Sequence, residues 1–299
     1  MGAEVAAVVV TYNSARHIDA LLDSLPAAFG DVPYTTVVVD NGSTDETLTL
    51  LRRRGDCSVV ESVNDGYGAG MNRAVRYAPE AAEILVLNPD VELDPDSVPR
   101  MLRVLRRPDV GIVVPRTREV DGSLSPTLRR TPTVARAGGL SFTRLPAFAE
   151  RIEDPRAYAT EHPVDWAVGA IWLVDRECFD ALGGFDPSYF LYSEETDFAL
   201  RARDRGWLTV YAPAAGGMHV GGGSGTSHET HTMMMVNRVR LVRRRRGVRA
   251  AWMYYGITLL VELRRGLLGH RASWPTLRAL VRPSRRPVAL GASDAVLPR

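Results

Sequence analysis

Four short apolar runs, each followed by an amphipathic stretch, dominate the N-terminal part of the chain. The runs cover residues 5–10, 35–39, 58–61 and 84–87, and the stretches between and after them cover 15–25, 44–54, 69–78 and 95–106. The runs have the length of strands, and the stretches have the period of helices. Strands that alternate with helices predict an α/β fold with a Rossmann-like, mostly parallel sheet flanked by helices.

Polar residues follow each predicted strand. Ligands of such sheets bind at the carboxyl ends of the strands, so the loops that follow them are expected to converge on one edge. The residues in question are Thr11, Tyr12 and Asn13 after the first strand, Asp40, Asn41 and Gly42 after the second, Asn64, Gly66 and Asn72 after the third, and Asn88 and Asp90 after the fourth.

Two of these loops also carry signals of a helix start. Ser43 and Glu46 have the spacing of a capping box behind an Asn-Gly turn. A helix that starts at a strand end is a natural nucleotide site, although a well-capped connection has the same appearance. The glycines at and after Gly66 allow a backbone to approach a ligand closely, and an ordinary turn is the alternative.

A divalent cation is the expected cofactor. Asn88-Pro89-Asp90 places a carboxylate at a strand exit, where Mg²⁺ or Mn²⁺ prefers hard oxygen ligands, and a simple turn is the competing interpretation. His219 lies in a Gly-rich segment, predicted as a flexible loop, and is the second candidate ligand. A zinc cluster of this residue with His228 and His231 is disfavoured, because the spacing matches no strong signature and thiolates are absent.

Three acidic residues, Glu194, Glu195 and Asp197, open a predicted helix that ends near residue 205. The helix dipole alone favours acids at this position, which is the structural explanation. The functional explanation is that one carboxylate is a general base. The aromatic and apolar run at 189–192 would desolvate that carboxylate and raise its pKa.

Composition and charge indicate one large α/β domain with an appendage. The 299 residues are 45% hydrophobic, and 15 of the 37 arginines but only 2 of the 35 acids lie in residues 238–299. We expect a catalytic domain over 1–232, with a nucleotide-sugar half (1–115) and an acceptor half (116–232). A basic helical extension, disorder-prone at its end, covers 233–299. Two distant cysteines and no signal-peptide pattern favour the cytoplasm.

Together these motifs resemble the family 2 glycosyltransferases of the GT-A fold, and most closely bacterial rhamnosyltransferases acting on lipid-linked sugars. The resemblance runs from about residue 8 to 246. It rests on VTYN at 10–13, VDNGSTD at 39–45, NDGYGAGMN at 64–72, LNPD at 87–90, GGFD at 183–186 and YSEETD at 192–197.

The resemblance implies roles for many of the residues above. Thr11 and Asp40 would hold the nucleoside, and Asn64 and Asn72 would line the donor pocket. Asp90 would be the last acid of the metal motif, in which Asn88 replaces an acid, and His219 would complete the metal or diphosphate site. Glu195 would be the base, with Glu in place of the usual Asp, so Glu194 and Asp197 stay candidates. Trp166, Gly169 and Ala170 would lie on the acceptor side.

The implied reaction is an inverting transfer of a sugar, with L-rhamnose or a related deoxysugar the best match. The donor would be a dTDP- or UDP-sugar. The acceptor would be a hydroxyl on a polyprenyl-linked saccharide, and a natural-product acceptor is the alternative. A non-catalytic sugar-nucleotide binder is a further alternative. A nucleotidyltransferase is disfavoured because residues 11–17 lack a phosphate-gripping signature.

The basic extension predicts contact with an anionic membrane. Residues 250–263 are too short and too interrupted to span a bilayer, but aromatic side chains and flanking arginines are typical of an interfacial helix. A helix packed on the catalytic domain is the equal alternative. We expect a peripheral protein on the inner face of a bacterial cell membrane. Nucleic acid is not expected as a partner, because the body of the chain is acidic.

Overall fold

The computed structural model describes residues 5–140, 143, 145–221 and 227–290. Within them the strands are β1 (Val5–Thr11), β2 (Tyr34–Asp40), β3 (Ser58–Glu61), β4 (Glu83–Leu87), β5 (Val91–Leu93), β6 (Val110–Arg118), β7 (Leu128–Arg129), β8 (His162–Val164), β9 (Trp166–Ala167), β10 (Ile171–Asp175) and β11 (Leu208–His219). The helices are α1 (Ile18–Phe29), α2 (Thr47–Arg53), α3 (Tyr67–Arg76), α4 (Ser97–Leu105), α5 (Val134–Ala137), α6 (Arg176–Leu182), α7 (Glu194–Asp204), α8 (His228–Leu267) and α9 (Ser273–Val281).

Nine strands form the central sheet, in the order β3-β2-β1-β4-β10-β6-β11-β5, with β8 paired to β11. Strands β1, β2, β3, β4, β6 and β11 run in one direction, and β5, β8 and β10 run in the other. The predicted mostly parallel sheet is therefore confirmed. The antiparallel strand β10 lies in its middle, between β4 and β6.

Both faces of the sheet are covered by helices, because its central strands have no polar face. All seven residues of β1 are buried. The side chains from Val5 to Val9 in odd positions join a core with α1 and α4, whereas those from Ala6 to Val10 in even positions join a second core with α3, α6 and α7. A strand buried on both faces is typical of parallel sheets with crossover helices.

The main departure from the predicted elements lies in β11. The sequence predicts a strand over 208–211 and then a loop, but the strand continues to His219 across a bulge between Ala212 and Gly216. The continuation pairs with β5, and His219 is opposite Val91. Its glycines fit here because the sheet is crowded, since a Cβ at Gly217 would lie 2.7 Å from Ile171. His219 is therefore held by a strand and not by a flexible loop.

The C-terminal extension packs against the catalytic body. Helix α8 begins at His228, so the predicted boundary at 232 falls inside it, and Gly247 breaks the helix with φ +78°. The fully buried side chain of Asn237 donates to the carbonyls of Leu191 and Tyr192, at 2.9 and 3.1 Å. Among the described residues, no helix is long and apolar enough to cross a bilayer.

Candidate functional site

A buried carboxylate organises the loops that follow β1 and β2. Asp40 accepts hydrogen bonds from Thr11 Oγ1 at 2.9 Å, from the Ser43 amide at 2.9 Å and from the Ser43 hydroxyl at 2.5 Å. Thr11 is completely buried, and its hydroxyl positions Asp40. One oxygen of Asp40, Oδ2, retains capacity for a further donor.

The predicted capping box is not formed. Helix α2 begins at Thr47, and no side chain caps it at Glu46. The Ser43 hydroxyl oxygen instead accepts from the Asn13 amide, and the hydroxyl donates to Asp40. Asn13, in a left-handed conformation with φ +53°, in turn accepts from the Thr44 amide at 2.8 Å. These bonds tie the two loops together.

Tyr12 and Asn41 lie on either side of this network. The Tyr12 ring is 52% exposed at the edge of the sheet. Asn41 is buried, and its amide donates to the Gly66 carbonyl at 3.2 Å. Gly42 has φ +74°, a left-handed conformation that glycine adopts without strain. The residues predicted after the second strand are thus held in a defined turn, with an aromatic ring exposed beside it.

The Gly-rich loop before α3 is needed for contact with protein backbone. Gly66 has φ +105°, and a Cβ there would lie 2.5 Å from the Phe190 carbonyl oxygen. The Tyr67 amide donates to that same oxygen at 2.9 Å. Asn64 is exposed, and its side-chain oxygen accepts from the Gly66 amide. The close approach predicted for a ligand at Gly66 is therefore made by the segment that precedes the acidic helix.

Asn72 also serves the protein itself. Its amide nitrogen donates to the Phe185 carbonyl at 2.7 Å, and its oxygen accepts from the Phe185 amide at 2.9 Å. Because one of its N–H groups and its oxygen both bind the backbone of Phe185, Asn72 links α3 to the Gly-Gly-Phe turn after α6. Asn72 therefore positions that turn, and its place in a donor pocket stays a prediction.

Asp90 and His219 meet where β5 and β11 pair. His219 Nε2 lies 3.2 Å from Asp90 Oδ1, and the Val220 amide donates to the Asp90 carbonyl at 2.9 Å. Burial raises the pKa of Asp90, but the hydrogen bond and charge of His219 outweigh burial and hold that pKa below its ordinary value. The carboxylate is therefore ionised and oriented at neutral pH.

This pair fits a hard divalent cation that takes few ligands from protein. No group of three or more His, Cys, Asp or Glu side chains with metal-binding geometry occurs in the described part of the chain. Mg²⁺ and Mn²⁺ sites of enzymes acting on phosphates commonly use one or two carboxylates and complete the shell with phosphate and water. The Asn88 side-chain oxygen accepts from Tyr67 Oη at 2.9 Å, which fixes its orientation and leaves one lone pair available.

Two neighbouring glutamates, the buried Glu194 and the half-buried Glu195, lie in the first turn of α7. Glu194 Oε2 and Glu195 Oε2 are buried atoms without a hydrogen-bond partner among the described residues. Burial raises the pKa of Glu194 well above its ordinary value, and the charge of Glu195 raises it further. Burial also raises the pKa of Glu195, but the guanidinium groups of Arg238 and Arg129 partly oppose that increase.

The three residues predicted on the acceptor side differ in their contacts. A Cβ at Gly169 would lie 3.2 Å from Glu195 Cβ, so the backbone of Gly169 packs closely against Glu195. Ala170 is buried, and its carbonyl accepts from the Asn88 amide at 2.9 Å. Trp166 is also buried, and its indole donates to the Arg130 carbonyl at 3.0 Å. Trp166 thus holds the segment that contains Arg130, and its ring does not form an exposed surface.

Comparison with known proteins agrees with this arrangement. Residues 6–182 match the model of the glycosyl transferase family 2. The chain belongs to this family. It is 34% identical to the N-acetylglucosaminyl-diphospho-decaprenol L-rhamnosyltransferase of Mycobacterium tuberculosis, over 71% of this chain and 74% of that protein. It is 24% identical to the rhamnosyltransferase WbbL of Escherichia coli, over 71% of this chain and 81% of that protein.

Solved family 2 and related structures share the GT-A fold. The mannosyltransferase PcManGT from Pyrobaculum calidifontis, in complex with GDP-Man and Mn²⁺, superposes with a TM-score of 0.57 at 19% identity, over 99% of this chain and 77% of that chain. TarS 1-349 from S. aureus, in complex with UDP-GlcNAc, gives 0.56 at 17% identity, over 97% and 83%. The predicted GT-A fold is confirmed.

Within this family 2 glycosyltransferase, Asp197 differs from its two acidic neighbours. Its carboxylate pairs with Arg201 at 2.6 Å, and Arg201 also donates to the carbonyls of Leu182 and Gly184. Burial raises the pKa of Asp197, and Arg201 lowers it in part. The pair holds the end of α6 against α7, so we no longer favour Asp197 as the base.

One central residue was missed by the sequence reasoning. Tyr67 Oη donates to Asn88 Oδ1 and lies 3.4 Å from the Gly169 carbonyl, between the strand exit and the acidic helix. Burial raises its pKa well above the ordinary value, and Glu194, Glu195 and Asp90 raise it further. An aromatic residue inside a run of glycines is the local signal that marks it.

The raised pKa of Glu194 predicts how the stability of the protein depends on pH. A carboxyl whose pKa is raised on folding stabilises the native state while it is protonated, and that contribution is lost as the pH rises through the raised pKa. Glu194→Gln should therefore leave the melting temperature unchanged below pH 4.5, the ordinary pKa of glutamate, and raise it at higher pH. We expect an increase of about 2 °C or more at pH 8, measured by calorimetry.

The exposed acid Glu177 at the start of α6 offers the control, since Glu177→Gln removes one negative charge at the surface and none from the core. A Glu194→Gln protein that is less stable than the wild type at pH 8 would contradict the assignment of Glu194 as a strained, buried acid.

Proposed function

We propose that this chain is an inverting glycosyltransferase that moves L-rhamnose or a related deoxysugar from a dTDP- or UDP-sugar to a hydroxyl of a lipid-linked saccharide. The observation that carries the proposal is the pair of buried, unpartnered glutamate oxygens near the Asp90–His219 pair, with Tyr67 between them. Support for the sugar and the acceptor comes from the names of the two rhamnosyltransferase relatives.

Glu195 is the proposed base. It contacts Gly169 on the acceptor side, and two guanidinium groups oppose the effect of burial on its pKa, so it can ionise where Glu194 stays protonated. Ionised Glu195 takes the proton of the acceptor hydroxyl, whose oxygen then attacks the anomeric carbon. The bond from that carbon to the diphosphate breaks, its electron pair leaves with the nucleoside diphosphate, and the configuration inverts.

The donor site is proposed around Asp40 and the Asp90–His219 pair. Asp40 Oδ2 can accept a hydrogen bond from a pyrimidine base, and the exposed Tyr12 ring offers a surface on which the base can stack. A divalent ion, Mg²⁺ or Mn²⁺, bound by Asp90 and His219 would stabilise the charge on the leaving diphosphate. These two residues hold their positions through the pairing of β5 with β11.

The base assignment predicts the effect of one isosteric change. Glu195→Gln should lower kcat about 10²- to 10⁴-fold, because it removes proton transfer in the transition state. The dissociation constant of the donor, measured by calorimetry, should stay within about twofold, since Glu195 faces the acceptor side. Glu194→Gln is the matched control and should retain most of the activity. An active Glu195→Gln enzyme, or an inactive Glu194→Gln enzyme, would overturn the assignment.

The metal assignment predicts a loss of ligand-dependent stabilisation. A ligand that binds only the folded state stabilises it, by about 2.7 kcal/mol at a hundredfold excess over Kd. Mn²⁺ should raise the melting temperature of the wild type in the presence of UDP or dTDP, and this increase should vanish in Asp90→Asn and shrink in His219→Ala.

The exposed His270 provides a control histidine outside the site, and His270→Ala should keep the full Mn²⁺-dependent increase. A wild-type-like increase in Asp90→Asn would place the metal elsewhere. Comparing UDP with dTDP in the same series identifies the preferred base.

We also propose peripheral contact between the extension and an anionic membrane. Beyond Gly247, one side of α8 packs inward through residues such as Tyr254, whereas Trp252, Leu260 and Leu267 are 49%, 67% and 72% exposed. Their spacing of seven or eight residues places them on one helix face. Exposed arginines flank this face, which is typical of a helix that lies in a lipid interface; they are Arg249, Arg264, Arg265 and Arg271.

A basic cavity in the same C-terminal extension adds to its positive charge. Its volume is about 530 Å³, and Arg278, Arg282, Arg285 and Arg286 line it together with His228 and Glu229. Four guanidinium groups against one carboxylate favour anionic headgroups.

Liposome flotation tests the membrane contact. Trp252→Glu combined with Leu260→Glu should abolish flotation with vesicles containing anionic lipid, because it places charge on the apolar face. The control is Leu208→Glu, at a leucine of β11 that is 39% exposed away from the extension. Equal flotation of both variants and the wild type would show that this face does not bind the bilayer.

A further inference from the structure

An arginine beside the proposed base has no acidic partner. Arg129 lies on β7, whose short pairing with β9 places it opposite Trp166. Its Nη1 donates to the carbonyls of Pro126 and Leu128, at 2.7 and 3.0 Å. Its other nitrogens make no hydrogen bond, and no carboxylate pairs with it, within the described part of the chain. A partly buried cation without a counter-charge is costly unless a ligand supplies the charge.

A second arginine raises that cost. Arg151 forms an isolated bridge with Arg129, so the two guanidinium groups are on adjacent backbone segments. Burial lowers the pKa of Arg129 to about 10, and the charge of Arg151 lowers it further. Arg151 is exposed, and its nearest acid is Glu153 at 3.7 Å. Two like charges held side by side favour an anion between them.

Glu153 pairs with Arg151, but the acids nearby do not neutralise Arg129 within the described part of the chain. Glu150 is bound through both oxygens by Arg238, at 3.2 and 3.4 Å. Glu195 is half-buried with a raised pKa, and the charge of Arg129 acts on it to lower that pKa. Arg129 therefore lies on the acceptor side of the base, and on a different element from the Asp90–His219 pair proposed for the donor diphosphate.

We propose that Arg129, together with Arg151, binds the diphosphate of the acceptor. This inference rests on the proposed function. The acceptor is a saccharide linked to a lipid through diphosphate. When it carries a single sugar, one sugar ring separates the phosphate groups from the hydroxyl that attacks the donor. A base at Glu195 and cations at Arg129 and Arg151 match that order of groups. Planar guanidinium groups are suited to bidentate contact with phosphate oxygens.

The test compares two acceptors that differ only in the anion. The first is N-acetylglucosaminyl diphosphate with a farnesyl chain, and the second is the uncharged farnesyl N-acetylglucosaminide. Arg129→Gln should raise KM for the diphosphate acceptor about tenfold or more, as expected for the loss of a charge-assisted hydrogen bond. KM for the uncharged acceptor and for the donor should change less than about twofold. Arg103→Gln, at an exposed arginine of α4, is the control.

Other outcomes distinguish diphosphate binding by Arg129 from an effect of Arg129 on Glu195. Equal effects on both acceptors, or a change confined to the pH profile of kcat, would mean that Arg129 only positions or tunes Glu195 and would overturn the inference. If Arg129→Gln does not fold, Arg151→Gln at the exposed partner decides by the same KM ratio. If the wild type transfers sugar to neither acceptor, the proposed function fails.

Binding without turnover then tests the inference alone. Farnesyl diphosphate, added with a chelator so that a metal-dependent donor site does not compete, should raise the melting temperature of the wild type but not of Arg129→Gln. Identical increases in both proteins would overturn it.

Discussion

Complete burial of β1 on both faces is the constraint from which the remaining architecture follows. A strand with no polar side must be covered twice, so the chain has to place helices above and below the sheet and return to the same edge after each crossover. The loops after β1, β2 and β4 consequently share that edge. Asp40 and Asp90, which are far apart in sequence, end up in one site because two cores require the same sheet.

The chemistry of the site depends on how burial and charge are balanced. Burial favours protonation of both glutamates at the start of α7, but only Glu195 has cations near enough to oppose it. In the proposed function the two adjacent acids therefore have different roles, one neutral and one able to accept a proton. On the donor side the balance is reversed, because His219 keeps Asp90 ionised despite its burial.

Local pattern was sufficient to predict the strands, the helices and the edge where the loops converge, because period and length are properties of short segments. It was insufficient wherever a side chain's partner lies far along the chain. Nothing near Gly66 indicates that Phe190 approaches it, and nothing near Asn72 indicates that both of its polar atoms bind Phe185. The spacing of Ser43 and Glu46 predicts a cap, but the Ser43 oxygen accepts from the Asn13 amide, which is 30 residues away in the chain.

His219 illustrates the same limit for backbone structure. Its glycine neighbours indicate a loop in isolation, whereas pairing of β11 with β5 and β6 overrides that tendency. The same limit applies to the roles taken from the family resemblance. Thr11 and Trp166 are in the expected region, yet both are buried and bind protein atoms, so they support neighbours that face a ligand.

The insertion of β10 between β4 and β6 has a consequence for how the chain acquires its structure during synthesis. Strand β6 ends at Arg118 but has no place beside β4 until Ile171–Asp175 has emerged and paired with both. The first four parallel strands can associate early, but closure of the sheet depends on contacts between distant segments, which form slowly. Truncation between 118 and 171 should therefore yield an aggregation-prone chain with an open strand edge.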